Sequence, residues 1–215
     1  MVRSLWTAAT GMNGQQYNMD TISNNLSNVN TTGFKQQRVE FEDLIYQDVK
    51  LAGTPATEDT VTPVGIQQGA GVKLAATQRI MKQGSLQSTG VDTDVAIVGE
   101  GFFRVQKFDG SYAYTRDGSF KVDSNGQFVN SEGLRLQPEI ILPEGYNVST
   151  LAITQDGRVS VKVNGGNEPV DVGQIEMFRF PNAVGLSADG DNLYKETNAS
   201  GRAIGSRPGF EGMGE

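Results

Sequence analysis

The chain has 215 residues, 37% of them hydrophobic, with 27 glycines and a net charge of −7 from 18 basic and 25 acidic residues. It holds no cysteine and no histidine, so disulfide and thiol chemistry are excluded and the commonest general base and metal ligand are missing. The acidic balance offers no basic footprint for nucleic acid or an anionic membrane, and no apolar run is long enough to span a bilayer.

The first pattern runs from Ser4 to Val29. Leu5, Ala8, Met12, Gln15, Met19, Ile22, Leu26 and Val29 recur at alternating steps of 3 and 4, a coiled-coil seam with one polar break at Gln15. Asn13, Gln16, Asp20, Asn24, Ser27 and Asn28 are its wet side. Gly11 and Gly14 each cost about 1 kcal/mol relative to Ala in a helix, and the Asn, Ser and Thr residues add to that. No second heptad helix is evident downstream, so the segment reads as half of an interface, ordered when a partner covers it. The plainer reading is a helix packed on its own domain. Thr31-Thr32-Gly33 is expected to end the helix.

Phe34 to Val49 is ambiguous. Val39 and Phe41 alternate as in a strand, whereas Phe41, Leu44, Ile45 and Val49 recur as in a helix, and a short helix from about Glu40 is expected. Leu51 to Gly84 is punctuated by Thr54-Pro55, Thr62-Pro63, Gly65, Gly69 and Gly71. Its runs Thr60–Ile66 and Gly71–Gln78 could pair as an extended hairpin, or the stretch could be a linker.

From Asp94 the pattern is β. Short apolar runs (95–98, 102–108, 112–114, 120–122, 134–136, 140–142, 151–153, 159–163, 170–172 and 175–180) are separated by Asp109-Gly110, Asp117-Gly118, Asn125-Gly126, Asp156-Gly157 and Asn164-Gly165, which are hairpin signals. The fold class is therefore mainly β: a small antiparallel barrel or sandwich, with a long N-terminal coiled-coil-type helix and an extended hairpin arm. The expected divisions are 1–33, an assembly helix; 34–84, connecting segment and arm; 85–200, the β domain; and 201–215, a Gly-rich tail. A fragment of about Ser85 to Lys195 is expected to fold alone.

No catalytic constellation emerges, and no cofactor or metal site is expected. Asp123-Ser124-Asn125-Gly126 and Asp189-Gly190-Asp191 lack the full spacing and closing Glu of a calcium loop, and read better as turns. Gly99-Glu100-Gly101 lacks the third glycine of a dinucleotide loop and reads as a close approach of two backbones. Phe102 and Phe103 are expected as one core and one edge residue, and Arg116-Asp117 as a strand end and a turn residue. The N-terminus lacks a secretory signal, which by itself suggests the cytosol.

The run Ser23-Asn24-Asn25-Leu26-Ser27-Asn28-Val29-Asn30-Thr31-Thr32-Gly33-Phe34-Lys35 resembles the N-terminal signature of the flagellar axial proteins of the bacterial rod and hook. Arg3-Ser4-Leu5-Trp6 with Gly11-Met12 is similar to the distal-rod type, and the resemblance continues through Gly99-Glu100-Gly101-Phe102-Phe103 and Tyr114-Thr115-Arg116-Asp117-Gly118-Ser119-Phe120. It implies a structural subunit that self-assembles into a rigid helical tube. Its expected self-assembly surface comprises Leu5, Trp6, Ala8, Met12, Met19, Ile22, Asn25, Leu26 and Val29.

The implied partners are further copies of the chain, proximal rod proteins, the hook protein and the surrounding ring, or bushing, proteins of the basal body. The implied location is the periplasm-spanning rod, reached through the flagellar export channel without a cleaved signal peptide. The resemblance also implies an arm at 51–84 that touches neighbouring subunits and a second heptad helix near the C-terminus. No such helix precedes Gly212-Met213-Gly214-Glu215, so either the chain is truncated or a terminal part lies beyond this sequence. The alternatives are a hook-type or other rod axial protein, or a monomeric secreted β-rich binding module.

Overall fold

In the computed structural model, described for residues 2–53, 55–57, 60–61, 63–146, 150–163, 168–210 and 213–214, the first element is a helix, α1 (Val2–Ser27). It stops short of Val29. Ser27 Oγ and Asn28 Nδ2 fold back to donate to the carbonyls of Ser23 (2.8 Å) and Asn24 (3.0 Å), satisfying acceptors at the helix end. Gly33 is not the cap. At φ +74° it belongs to a separate tight turn, in which Phe34 N donates to Thr31 O at 3.3 Å.

Six strands follow: β1 (Gln37–Asp43), β2 (Tyr46–Lys50), β3 (Pro55–Thr57), β4 (Thr60–Val61), β5 (Ile66–Gly69) and β6 (Val72–Arg79). They pair in nested fashion, β3 with β4, β2 with β5 and β1 with β6, all antiparallel. The result is one long two-stranded ribbon. The expected helix from Glu40 is absent, because the period-two pattern prevails: Val39 lies opposite Thr77 and Phe41 opposite Leu74. The expected pairing of 60–66 with 71–78 is also replaced. Thr57 lies opposite Thr60, 66–69 returns onto 46–50 and 72–79 onto 37–43.

Helix and ribbon belong to one compact unit, Met1–Asn30 with Gln36–Ile80; Thr31–Lys35 and Met81–Glu215 form a second. The second unit carries β7 (Phe103–Gln106), β8 (Tyr112–Thr115), β9 (Lys121–Val122), β10 (Phe128–Val129), β11 (Arg135–Gln137), β12 (Ala152–Ile153), β13 (Arg158–Val161), β14 (Val170–Gln174), β15 (Met177–Arg179), β16 (Ser187–Gly190), β17 (Leu193–Lys195) and β18 (Ile204–Ser206). A seven-stranded antiparallel sheet has the order β16-β17-β8-β7-β11-β10-β9, accompanied by the sheet β12-β13-β14 and the pair β15-β18. The Asp-Gly and Asn-Gly turns at 109–110, 125–126 and 156–157 join neighbouring strands. Gly118 does not make such a turn; its carbonyl accepts from Val95 N at 3.0 Å. Asn164-Gly165 lies outside the described residues.

Phe102 and Phe103 are both buried, at 3% exposure each, on opposite faces of the backbone. Phe103 meets Phe120 edge-on at 5.3 Å in the main core, among Val105, Phe128, Leu136, Ile140 and Val159. Phe102 meets Phe180 (5.8 Å) and Tyr194 (5.7 Å) in a second cluster. The expected edge residue has become a second core, because Phe102 bonds through its backbone to Phe178 (2.8 and 2.9 Å), which brings β15 over that face.

The expected close backbone approach at Gly99 is present. Its partner is the tail: Glu100 O accepts from Gly214 N at 2.8 Å, and a Cβ on Gly99 would lie 2.9 Å from Gly214 Cα. The tail is accordingly part of the fold, with β18 paired to β15 and Met213 in the main core.

Candidate assembly interface

A heptad helix presents two stripes, and α1 uses them oppositely. The stripe Gly11, Gly14, Asn18, Thr21 and Asn25 lies against β1 and β6. Gly14 is buried, and a Cβ there would sit 3.2 Å from Phe41 Cε1, so glycine's lack of a side chain sets how closely helix and ribbon approach. Thr7 Oγ1 donates to Ala70 O (3.4 Å), and Thr10 Oγ1 accepts from Val72 N (3.4 Å). Asn25 makes a two-bond link: its Nδ2 donates to Gln37 O at 2.8 Å while Gln37 N donates to its Oδ1 at 2.9 Å. Its side chain thus mimics a strand edge and is committed within its own unit.

The apolar stripe is bare. Leu5, Met12, Met19, Ile22, Leu26 and Val29 are 51–71% exposed, and Ala8 and Gln15 are exposed too. Trp6, beside the stripe, is 68% exposed. The plainer reading, a helix packed on its own domain, is half realised: packing exists, through the small and polar face. The reason is what the ribbon supplies, namely backbone groups for amides and hydroxyls and one ring, Phe41, for Gly14. Over roughly 40 Å of helix the stripe far exceeds the scattered apolar residues ordinary on a monomer surface. Arg3 and Asp20 are the only charged residues of α1, and Arg3 Nη1 donates to Gln47 Oε1.

The remainder of the signature has a different role. Thr32 O accepts from Asn192 Nδ2 at 3.0 Å, and Lys35 Nζ donates to Lys82 O at 2.7 Å. Asn192 and Asp191 take left-handed φ values of 59° and 49° in the turn joining β16 to β17, a conformation that Asn and Asp tolerate. Lys35 is buried; burial first, and neighbouring Arg116 second, hold its ammonium below the ordinary lysine pKa. The strap Thr31–Lys35 is therefore anchored within the β unit. Local sequence pattern could not reveal this, since Thr32 and Asn192 are 160 positions apart.

Elsewhere the polar clusters are structural. Asp123 accepts from Ser124 N (2.6 Å) and Asn125 Nδ2 (3.3 Å), as in a turn. Asp189 pairs with Lys107 and Lys195. Arg116 donates to Gln83 Oε1 (3.2 Å) and Gly99 O over the Phe102 ring, while Asp117 accepts from Ser119 N (3.1 Å) and Oγ (2.7 Å). Among the described residues there is no cluster of three or more His, Cys, Asp or Glu placed to hold a metal, and no helix long and apolar enough to cross a membrane.

Two family descriptions match this chain. Residues 5–35 match the flagella basal body rod protein family, and residues 96–161 match the D1 domain of the flagellar hook protein FlgE/F/G family. The chain is 60% identical over 214 residues to the flagellar basal-body rod protein FlgG of Borreliella burgdorferi, covering 100% of this chain and 81% of that one. It is 49% identical over 214 residues to FlgG of Buchnera aphidicola subsp. Schizaphis graminum, covering 100% and 82%. To the hook protein FlgE of Treponema pallidum it is 45% identical over 139 residues, but these cover 64% of this chain and 29% of the hook protein. The chain belongs to the FlgG family of flagellar basal-body rod proteins.

Proposed function

We propose that this chain is a structural subunit of the flagellar distal rod, assembling with its own copies into a rigid helical tube that carries motor torque to the hook. The observation that supports this best is the bare stripe Leu5, Ala8, Met12, Met19, Ile22, Leu26 and Val29, on a helix already held by its opposite face. Covering the large apolar residues offers on the order of 10 kcal/mol per subunit against the ordering entropy. Head-to-tail contacts that do not close into a ring extend into a helix. Trp6 widens the stripe at its N-terminal end, and Asn25 contributes by holding α1 on the ribbon.

The proximal rod proteins, the hook protein and the ring proteins that act as a bushing are the neighbours in this reading. The subunit leaves through the flagellar export channel without a cleaved signal peptide and resides in the periplasm-spanning rod. The ribbon lies on adjacent subunits and limits their sliding.

Ile22→Asp and Leu26→Asp test this directly. Each places a carboxylate where the seam excludes water, at a cost of several kcal/mol. Sedimentation should show assembly abolished, with the thermal transition of the β unit unmoved. Wild-type assembly by both variants would sink the proposal.

A further inference from the structure

The six methionines are divided in a way the assembly reading does not require. With no cysteine in the chain, thioethers are the only sulfur an oxidant meets. Met177 and Met213 are buried in the main core at 2% and 7% exposure, and Met81 packs against the second cluster. Met12 and Met19 are 67% and 61% exposed. Both stand on the apolar stripe, and they flank Gln15, its one polar position.

We infer that Met12 and Met19 form a paired oxidation site, at which a peroxide-class oxidant withdraws the unassembled subunit from polymerisation. The inference rests on the proposed role of the stripe. In the reaction a thioether lone pair attacks one peroxide oxygen. The S–O bond forms as the O–O bond breaks, sulfur is oxidised by two electrons, and the leaving hydroxide takes the proton and departs as water. The sulfoxide is polar and chiral where an apolar partner would seat, and sulfoxide reductases of both epimer specificities reverse it.

Position matters as much as chemistry. Oxidation at 12 and 19 would make three successive seam layers polar, at 12, 15 and 19, leaving Leu5 and Ala8 on one side and Ile22, Leu26 and Val29 on the other. The buried sulfurs of the core would be spared, so assembly competence would be lost while the β unit stays folded. Once packed in the tube the same sulfurs would be shielded, confining the lesion to subunits not yet incorporated.

The test treats the full chain with hydrogen peroxide, maps oxidised peptides by mass, and measures assembly by sedimentation. Met12 and Met19 should oxidise at least about tenfold faster than Met177 and Met213, and the doubly oxidised chain should need an about tenfold or higher concentration to assemble. Reductase treatment should restore the original threshold. A chain carrying Met12→Leu and Met19→Leu should show the same assembly threshold before and after the treatment, whatever that threshold is. Equal oxidation rates at all these sites, or a treatment-induced rise in the double variant's own threshold as large as that of wild type, would overturn the inference. Leu26→Asp separates the layers of the argument. If it blocks assembly while oxidised wild type assembles normally, the stripe is the interface and the inference falls; if Leu26→Asp assembles, the reading of the stripe falls with it.

Discussion

The two units of this chain answer the same physical demand in opposite ways. The β unit buries Phe102, Phe103, Phe120, Phe128, Leu136, Ile140, Met177 and many other large side chains within itself. Among the described residues of the helix–ribbon unit, Gly14 alone is buried, while Leu5, Trp6, Met12, Ile22, Ile45, Val49 and Leu51 are all more than half exposed. A β unit with two apolar clusters can fold on its own contacts. A helix and a two-stranded ribbon held by hydrogen bonds and close approaches at Gly14 and Gly71 cannot offset their ordering entropy so easily, since an isolated hairpin is at best marginally stable in water. The contrast separates a self-sufficient body from a part that, in the proposed function, neighbouring copies complete.

The strongest way to break this comparison is to cut the β unit. A fragment spanning 81–215 should melt cooperatively by itself. A fragment ending at Lys195 should not, because it lacks β18 and Met213; a cooperative melt of the shorter piece would show that the tail is dispensable. The point variant Met213→Ala should destabilise the full chain by about 2–5 kcal/mol in denaturant titration, since it opens a cavity in the main core.

Deleting Pro55 to Val72 addresses the other unit. The stripe on α1 is untouched, so the chain should still polymerise, but into a tube of shorter persistence length measured by electron microscopy. Unchanged stiffness would reduce the ribbon to a connector.

Smaller is the expected effect of Asn25→Ala, which removes both bonds to Gln37. A loss of about 1–2 kcal/mol is expected, confined to the contact between α1 and β1. Hydrogen exchange should show the Gln37 amide losing protection while those of β7 and β8 keep theirs. Unchanged exchange at Gln37, or protection lost throughout the chain, would mean that α1 is not held there.

The smallest effect is at Lys35. Its folded pKa lies below the ordinary 10.5, so between those two values the unfolded chain binds more protons and stability rises with pH. Comparing melts of wild type and Lys35→Met from about pH 8 upward should show that part of the rise in wild type alone. An identical pH dependence would remove the lysine from the account.

What was legible in the sequence was whatever local spacing encodes. The seam of α1 follows from 3-4 steps, and the hairpins at 109–110, 125–126 and 156–157 from their turn residues. The close approach at Gly99 follows from a pair of glycines between strand patterns. Local pattern failed where the competing signals had equal range: between Glu40 and Val49 a period of two and a period of 3.6 both fit, and only pairing with 66–79 decided it. It failed again for Phe102, whose partner Phe178 comes from far along the chain, and it did not show that Asn25 bonds to Gln37. Phe102 is core because Phe178 pairs with it, and Asn25 is bound inward because Gln37 offers a free strand edge.

By itself, then, the sequence determined that an apolar heptad stripe exists and that a β domain follows it, because periodicity is a property of neighbours a few residues apart. Which face of α1 would be satisfied at home and which left bare was decided by tertiary structure alone. Both stripes are regular in the sequence; only the ribbon, with backbone amides at its edge and a single ring beneath Gly14, could take the small and polar one.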